Sequence, residues 1–315
     1  MKIIFFGTSG FALPILEHMK KSGLAPVLVI STPDKPKGRG LKTELTPVKK
    51  WAEANGIRLL QPEKLKDQAF LEEIRRLKPD LFAVAAYGKI IPKELLDVPE
   101  KGGLNVHPSL LPAWRGADPI RAAMLAGDKK TGLTIILMDQ EMDHGPILAQ
   151  EELKFPISDF QFSKLQEELA ELGGGLLVKT TQEWLSGKIK PKTQDHSKAT
   201  FSKKIAKEDG HINWSEPAEI IERKIRAFNP WPGTFTFWGK KRLKILETDA
   251  GTPKLSLGTS PKLSLGIVFK KNGGVAVACK DGAILIKKLQ IEGKKIQSAT
   301  EFLNGRPDII GAVLN

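Results

Sequence analysis

The sequence has 315 residues, of which 41% are apolar and 27% are charged, and its formal net charge is +13 at pH 7. That length is sufficient for two domains, because a single hydrophobic core stops growing at roughly 250 to 300 residues. Since no apolar run approaches the roughly 18 residues of a membrane-spanning helix, membrane proteins are excluded as a class and a soluble globular protein is expected.

Short apolar runs rich in β-branched residues alternate with longer amphipathic runs in the first part of the chain. This alternation is typical of βαβ units, so it predicts a mostly parallel sheet with helices on both faces. The predicted strands are 3–6, 27–31, 81–86, 103–106, 131–138 and 147–153. The predicted helices are 11–21, 47–55, 70–77, 120–126 and 162–185.

Two glycine-containing stretches qualify this prediction. GTSGFA, residues 7–12, follows the first strand but matches neither the dinucleotide-binding nor the P-loop pattern, so a Rossmann-type dehydrogenase is disfavoured. It reads instead as a tight strand-to-helix turn whose backbone amides could face an anionic group. Gly173, Gly174 and Gly175 lie inside the last predicted helix, where they are expected to weaken it locally.

The pattern changes after residues 188–202, which contain few large apolar residues and are interpreted as an interdomain linker. One helix is predicted at 217–227, and five short strands follow at 233–238, 243–247, 266–270, 275–279 and 283–289. Such strands indicate a small antiparallel barrel or sandwich. Domain boundaries are placed at 1–189, with a linker at 190–206 and a second domain at 207–315.

The second domain has three further features of sequence. Residues 201–315 hold 20 Lys and Arg against 11 Asp and Glu, which suits a phosphate-rich partner or simply a charged surface. The single cysteine, Cys279, excludes an internal disulfide and a cysteine-based metal site, and it is expected to be a buried apolar residue. PKLSLG occurs twice, at 253–258 and 261–266, and is interpreted as a local duplication within one turn.

Candidate catalytic residues follow two adjacent predicted strands. Asn105 and His107 project to the same side of their strand, and Pro108 ends its ladder, at the sheet edge where open parallel sheets bind ligands. The next strand continues into Asp139, Asp143 and His144, which would lie at the same edge if the strands are neighbours. An amide, an imidazole and a carboxylate together suit direct transfer through an oxyanion. Spacing alone favours a core histidine at His107 and a turn cap at Asp143 over this site.

The segments NVHPSLLPAWRG (105–116) and MDQEMDHGPIL (138–148) resemble the folate-dependent formyltransferases. The resemblance implies a Rossmann-like α/β catalytic domain and 10-formyltetrahydrofolate as formyl donor, without a metal. It assigns oxyanion stabilisation to Asn105 and His107, and orientation of His107 with assistance in proton removal to Asp143. The folate-contacting stretch is then Ser109, Leu110, Leu111 and Pro112. Gly10, His144 and Pro146 depart from the family pattern, which affects the amino-acid pocket.

The basic segment 31–53 and the segments TFSKKIAKEDGHINW and AFNPWPGTF resemble the branch of this family that formylates initiator methionyl-tRNA. This resemblance covers nearly the whole chain and implies a small C-terminal β-barrel, OB-like, that binds tRNA. It also implies that the basic loop enters the acceptor end, with Arg39 making a specific contact. The other loop cations are Lys35, Lys37 and Lys42, and barrel cations expected at phosphates are Lys203, Lys204, Arg226, Lys240, Lys241 and Arg242.

Two alternatives remain open. One is a formyltransferase that acts on a UDP-aminosugar or another small amine, and the other is an inactive relative that only binds RNA. Intact Asn105, His107 and Asp143 argue against the second. We expect a monomer in the cytoplasm with no membrane partner, and five dispersed histidines give no metal-ligand spacing.

Overall fold

The computed structural model describes residues 1–37, 42–249, 264–271 and 274–315. The chain divides into two compact units. Unit 1 consists of Met1–Ile120, Lys129–Pro156 and Lys164–Lys203, and unit 2 of Arg121–Asp128, Ile157–Ser163 and Lys204–Asn315. Among the helices within the described ranges, none combines the length and the apolar composition that crossing a bilayer requires.

The regular elements are numbered in chain order. The strands are β1 (Ile3–Gly7), β2 (Leu28–Ile30), β3 (Lys35–Lys37), β4 (Lys42–Glu44), β5 (Leu59–Leu60), β6 (Leu81–Ala85), β7 (Gly103–His107), β8 (Arg115–Gly116), β9 (Gly132–Leu137), β10 (Ile147–Glu152), β11 (Phe201–Ser202), β12 (Thr234–Trp238), β13 (Lys241–Thr248), β14 (Val268–Lys271), β15 (Gly274–Cys279), β16 (Gly282–Ile291) and β17 (Gln297–Ser298). The α-helices are α1 (Ala12–Lys21), α2 (Pro47–Ala54), α3 (Gln68–Leu77), α4 (Lys93–Leu96), α5 (Pro119–Ala126), α6 (Phe162–Leu185), α7 (Ala218–Phe228) and α8 (Ala299–Gly305).

Unit 1 is built on a seven-stranded sheet in the order β10-β9-β7-β6-β1-β2-β5. The strands from β5 to β7 pair in parallel, whereas β9 is antiparallel to both of its neighbours. Strands β1 and β6 are buried along their whole length, because their continuous apolar runs suit a sheet covered on both faces. The predicted mostly parallel α/β fold is confirmed.

Helix α6 runs without interruption through Gly173, Gly174 and Gly175, although the glycines were expected to weaken it. A Cβ at Gly173 would lie 3.0 Å from Val106 Cγ1, and one at Gly174 would lie 2.5 Å from the His18 ring. These two glycines therefore let the helix approach strand β7 and helix α1 closely. Packing of this kind compensates for the low intrinsic helix propensity of glycine.

Unit 2 contains an antiparallel sheet in the order β12-β13-β16-β15-β14, with β17 paired to β16. Residues 311–315 join its two outer strands: Asn315 exchanges backbone hydrogen bonds with Phe237 of β12, and Val268 of β14 bonds to Gly311 and Ala312. This segment closes the sheet into a small barrel over an apolar core that α7 and α8 help to form. The predicted C-terminal antiparallel β domain is confirmed, and Cys279 is buried in its core as expected.

The segment predicted as an interdomain linker has a different place in the structure. Its residues up to Lys203 belong to unit 1, where β11 pairs in parallel with β8. Gln194 in this segment is only 4% exposed. A scarcity of large apolar side chains suggested a linker, but the segment is fixed by hydrogen bonds, which composition does not reveal. The first PKLSLG copy and the beginning of the second lie outside the described residues.

Candidate active site

The candidate site is centred on the carboxyl end of β7, as the sequence predicted. Asn105 is partly buried and His107 is 4% exposed, and the two side chains lie on the same side of the strand. Strand β7 ends at His107 because Pro108 has no N–H with which to continue the ladder. Strand β6 runs parallel beside it, so the carboxyl ends of both strands meet at this edge.

Asp143 reaches this pair by a different route from the one expected. Strand β9 is indeed the neighbour of β7, but it is antiparallel, so the loop that follows it starts at the opposite end of β7. The loop then returns toward β10 and places Asp143 in the left-handed conformation, with a φ of 53°. A side chain at Gly145 would collide with the carbonyl oxygen of Leu137, so the glycine permits this close return.

The three predicted catalytic side chains are in direct contact. Oδ1 of Asp143 lies 3.3 Å from Nδ1 of His107 and accepts a 3.3 Å hydrogen bond from Nδ2 of Asn105. Its Oδ2 accepts a 2.8 Å bond from the backbone N–H of Gly116. The Asp143 side chain is only 12% exposed, so these interactions operate with little screening by water.

The partners of His107 define its hydrogen positions. Nε2 lies 3.0 Å from the carbonyl oxygen of Trp114, which can only accept, so Nε2 carries a hydrogen. Nδ1 faces a carboxylate oxygen, and a close approach of two acceptors is favourable only with a proton between them. A hydrogen on Nδ1 would therefore be directed at the carboxylate of Asp143, so each ring nitrogen of His107 faces an acceptor.

The pKa of Asp143 reflects two opposing effects. Burial by itself would raise the pKa, because it removes water from the charged form. The charge and hydrogen bond of His107, the N–H of Gly116 and the charge of Arg115 outweigh burial and lower the pKa below its usual value of 3.8. Asp143 is consequently a stable carboxylate at neutral pH and a weak base.

The other acidic candidate, Asp139, is not part of this cluster. Its Oδ2 lies 2.7 Å from Nδ1 of His144, and its Oδ1 accepts a hydrogen bond from the N–H of Glu141. The His144 ring stacks on His196, with centroids 4.1 Å apart and planes inclined by 6°. Asp139 and His144 thus support the loop that carries Asp143.

Two buried residues behind the site were missed by sequence reasoning. Arg115 is 4% exposed, and its Nε and Nη2 donate to Oε1 of Gln194 at 3.2 and 2.7 Å. Nε2 of Gln194 donates to the carbonyl oxygens of Asp143 and Gly145 at 2.9 and 2.7 Å. Arg115 lies within the motif 105–116 and could have been considered, whereas no sequence signal separates Gln194 from an exposed linker residue.

The predicted folate-contacting stretch forms a turn whose polar groups are largely bonded within unit 1. Ser109 Oγ donates to the carbonyl of Ala113, and Thr134 Oγ1 bonds both to the carbonyl of Ser109 and to the N–H of Leu111. Ser109 and Leu111 are 1% and 3% exposed, while Leu110 and Pro112 are partly exposed. Leu110 and Pro112 are therefore the side chains of this stretch that retain exposed surface.

The predicted basic loop has an anchored base. Strands β3 and β4 form a hairpin in which Lys35 is opposite Glu44, and Lys35 is exposed. Below it, Asp34 accepts hydrogen bonds from the N–H of Thr46, from Lys49 Nζ and from Gln61 Nε2. Arg39 lies outside the described residues. Lys37 and Lys42 are paired through their backbones at the hairpin's outer end.

Two of the expected phosphate-binding cations in unit 2 are already engaged. Arg226 pairs with Glu222 and donates to the carbonyls of Ile157 and Phe160. The Arg242 guanidinium lies 3.5 Å from the centre of the Phe235 ring. Lys240 and Lys241 are exposed. In the described part of the chain, no group of three or more His, Cys, Asp and Glu side chains is arranged to hold a metal ion.

Two family models match the chain. The model described as "Formyl transferase" matches residues 1–181, and the one described as "Formyl transferase, C-terminal domain" matches residues 204–307. Among curated relatives, a methionyl-tRNA formyltransferase of Marinobacter nauticus is 42% identical over 311 residues, covering 98% of each chain. Another of that name, from Caldanaerobacter subterraneus subsp. tengcongensis, is 39% identical over 315 residues, covering 100% of each.

Solved structures of lower identity share the fold. An N-formyltransferase from Helicobacter canadensis, in complex with folinic acid and dTDP-3-aminofucose, superposes with a TM-score of 0.65 at 19% identity. The match covers 91% of this chain and 98% of that one. HypX from Aquifex aeolicus, in complex with tetrahydrofolic acid, gives a TM-score of 0.63 at 18% identity, covering 96% of this chain and 47% of that one.

Proposed function

The chain belongs to the formyl transferase family, and from that premise we propose that it formylates the methionyl group on initiator tRNA. The donor that we assign is 10-formyltetrahydrofolate, and the product is N-formylmethionyl-tRNA for the initiation of translation. The observation that carries this proposal is full-length identity of about 40% to methionyl-tRNA formyltransferases, which includes the second unit.

The chemistry is the displacement of one amine by another at a formyl carbon. A bond forms between the methionyl nitrogen and the formyl carbon, and the bond from that carbon to N10 of the folate breaks. The methionyl nitrogen loses one proton and N10 gains one, so the transfer consumes no net proton. The step that needs assistance is the growth of negative charge on the formyl oxygen.

Asn105 is suited to hold this charge by hydrogen bonding. One hydrogen of its Nδ2 is directed at Asp143, and we assign the other to the formyl oxygen. Because Asp143 fixes the amide, little reorganisation is needed when the negative charge develops. A preorganised donor of this kind lowers the barrier most in a site from which water is excluded.

His107 is suited to act through its positive charge. Its two ring nitrogens are directed at the Trp114 carbonyl and the Asp143 carboxylate, so both can donate a hydrogen bond when the ring is protonated. We assign to Asp143 the role of orienting His107 through the contact with Nδ1. The lowered pKa of Asp143 supports this role over that of a strong base, because a carboxylate stabilised as the anion binds a proton weakly.

Folate binding fits the apolar surface beside the site. We assign it to the turn of residues 109–112, with Leu110 and Pro112 as its partly exposed members. The bound folate supplies an activated formyl group, and the residues of this chain orient it and stabilise the charge.

We assign the binding of tRNA to the basic hairpin and to the exposed lysines of the barrel, Lys240 and Lys241. Arg39 lies between Lys35 and Lys42 in the sequence, and we assign to it a specific contact with the acceptor end of the tRNA. The bases of a paired RNA helix are difficult to read directly. We therefore expect the loop to recognise a weak terminal base pair in the acceptor stem of the tRNA. We further propose that the protein acts as a monomer in the cytoplasm, where charged initiator tRNA is used.

One assay tests the proposal. The protein is incubated with 10-formyltetrahydrofolate and, in separate reactions, with initiator methionyl-tRNA, elongator methionyl-tRNA or UDP-4-amino-arabinose. We expect formylation of the initiator species alone at an appreciable rate. Formylation of the aminosugar in preference would contradict the proposal, and RNA binding without any formylation would indicate an inactive relative.

A further inference from the structure

We propose that Gln194 is a positioning residue for formyl transfer, and that the segment 194–202 holds the catalytic carboxylate and imidazole in their reactive arrangement. This inference rests on the proposed function, because it names the residues that hold the catalytic groups of that reaction in place. Gln194 lies in the stretch that its composition assigns to a linker, yet its side chain is buried directly behind Asp143.

The carboxamide of Gln194 uses both of its ends. Its Nε2 donates to the carbonyl oxygens of Asp143 and Gly145, so it bridges the turn that carries the catalytic carboxylate. Its Oε1 accepts two hydrogen bonds from the buried guanidinium of Arg115. Because Asp143 has a left-handed backbone conformation, its turn is strained for a non-glycine residue and depends on such external bonds.

The same segment also fixes the partners of His107 and Asp143. Thr200 Oγ1 accepts from the N–H of Trp114, and the Thr200 carbonyl accepts from the N–H of Arg115. Trp114 supplies the carbonyl that binds Nε2 of His107. Gly116, which β11 holds in register, supplies the N–H that binds Asp143.

A third contact secures the turn from outside. His196 stacks on His144, the residue after Asp143, and its Nδ1 lies 2.8 Å from Nη2 of Arg115. The guanidinium donates there, so Nδ1 of His196 is an acceptor. The loop of Asp143 is therefore tied to segment 194–202 through hydrogen bonds to its backbone and through ring stacking on its side chain.

This arrangement predicts an effect on turnover rather than on substrate binding. Among the described residues, Gln194 makes no hydrogen bond to Asn105 or His107, and its bonds run to backbone atoms and to Arg115. Misplacement of a catalytic group by about 1 Å can lower a rate by about 10²-fold. Loss of the bridge should therefore lower kcat and leave the KM for both substrates nearly unchanged.

The test compares Gln194→Met, Gln194→Glu and Gln182→Glu with the wild type. Gln194→Met removes every hydrogen bond, whereas Gln194→Glu still accepts from Arg115 but cannot donate to Asp143 and Gly145. Gln182 is exposed on α6 and is the matched control for the change from Gln to Glu. We expect both Gln194 variants to lower kcat by about 10-fold or more, with KM within about 2-fold of wild type.

Three results would overturn the inference. Wild-type kcat in Gln194→Glu would mean that Gln194 serves Arg115 alone. A raised KM at unchanged kcat would assign it to binding, and a lowered melting temperature at unchanged kcat would make it merely structural. If Gln194→Met fails to fold, Gln194→Glu carries the kinetic test, because it preserves the partner of the buried guanidinium.

A second readout separates this inference from the proposed function. Carboxyl ¹³C resonances report the pKa of Asp143 without any substrate, in the wild type and in Gln194→Met. We expect this pKa to rise toward 3.8 in the variant, because His107, Arg115 and the Gly116 N–H no longer surround a fixed carboxylate. An unchanged pKa of Asp143 would refute the positioning role of Gln194, even if the wild type formylates no tRNA. If Gln194→Met misfolds, Gln194→Asn replaces it in this measurement.

Discussion

The carboxylate of Asp143 lies 3.3 Å from the imidazole of His107, although the strands that precede these residues run in opposite directions. The contact forms because the loop after β9 turns back before β10 begins. The same carboxylate also binds Asn105 and the N–H of Gly116. One oxygen atom of Asp143 thus aligns both groups that we assign to the formyl oxygen.

Asn105→Ala should lower kcat by about 10²- to 10³-fold, because it removes the neutral donor for the developing oxyanion. Single-turnover formylation with saturating folate and tRNA measures the chemical step. Asn304→Ala, on an exposed position of α8, is the control for the substitution itself. Near-normal turnover in Asn105→Ala would reduce Asn105 to a structural partner of Asp143.

His107→Gln should lower kcat by about 10²-fold or more, because glutamine carries no positive charge and its single amide nitrogen cannot replace both ring nitrogens. Binding of methionyl-tRNA should be retained, since His107 is buried and lies away from the basic hairpin in sequence. Steady-state kinetics paired with filter binding of tRNA distinguishes the two effects. Equal losses of binding and turnover would contradict the assigned role.

Asp143→Asn should make unfolding less dependent on pH in the acidic range. The folded-state pKa of Asp143 is lowered, so its ionised form stabilises the fold above the unfolded-state value near 3.8. That contribution is lost as the pH falls through the lower folded-state pKa. Urea unfolding between pH 7 and pH 3 measures the free energy of unfolding of the wild type and of Asp143→Asn. We expect the difference between the two free energies to be constant at first and to shrink below pH 3.8. A difference that stays constant over the whole range would exclude the ion pair as the source of the difference.

Arg39→Ala should reduce discrimination between initiator and elongator methionyl-tRNA, with little change in folate affinity. Loss of one arginine contact to RNA costs about 1–3 kcal/mol in recognition, so the ratio of kcat/KM values should fall by about 5- to 150-fold. Arg76→Ala, at an exposed arginine of α3, is the matched control. An unchanged ratio would remove Arg39 from tRNA selection.

Gly174→Ala and Gly175→Ala should have opposite effects on stability. A Cβ at Gly174 would lie 2.9 Å from Cβ of His18, which cannot move by rotating its side chain, so about 1–3 kcal/mol of destabilisation is expected. A Cβ at Gly175 meets nothing within 4 Å, and alanine there should stabilise the helix by about 0.5–1 kcal/mol. Denaturant midpoints of the two variants check both signs.

The sequence was informative wherever a local pattern determines a local structure. Apolar runs that alternate with amphipathic runs predicted the parallel core of unit 1. The positions of Asn105 and His107, at i and i+2 of one strand, predicted that they lie on the same face. The direction of β9 could not be predicted, because an antiparallel and a parallel neighbour present the same apolar run. Family resemblance, and not spacing, identified Asp143 as the partner of His107.

Gln194 illustrates the limit of composition as a guide. A buried polar side chain is stabilised by its partners, and those partners are Arg115 and two carbonyl groups that are distant in sequence. Neither hydropathy nor charge distinguishes such a residue from one in a solvated linker. The domain boundary predicted from the sequence, at residue 189, therefore left Gln194 outside the catalytic domain, although its side chain supports the candidate site.

Residues 311–315 also affect whether the sheet of unit 2 can pair with strands of other protein molecules. By bonding to Phe237 on one side and to Val268 on the other, they occupy two strand edges that would otherwise expose unpaired N–H and C=O groups. An open edge is a template to which a strand of another molecule can add. Closure by residues 311–315 therefore protects unit 2 from polymerising through its own β-sheet.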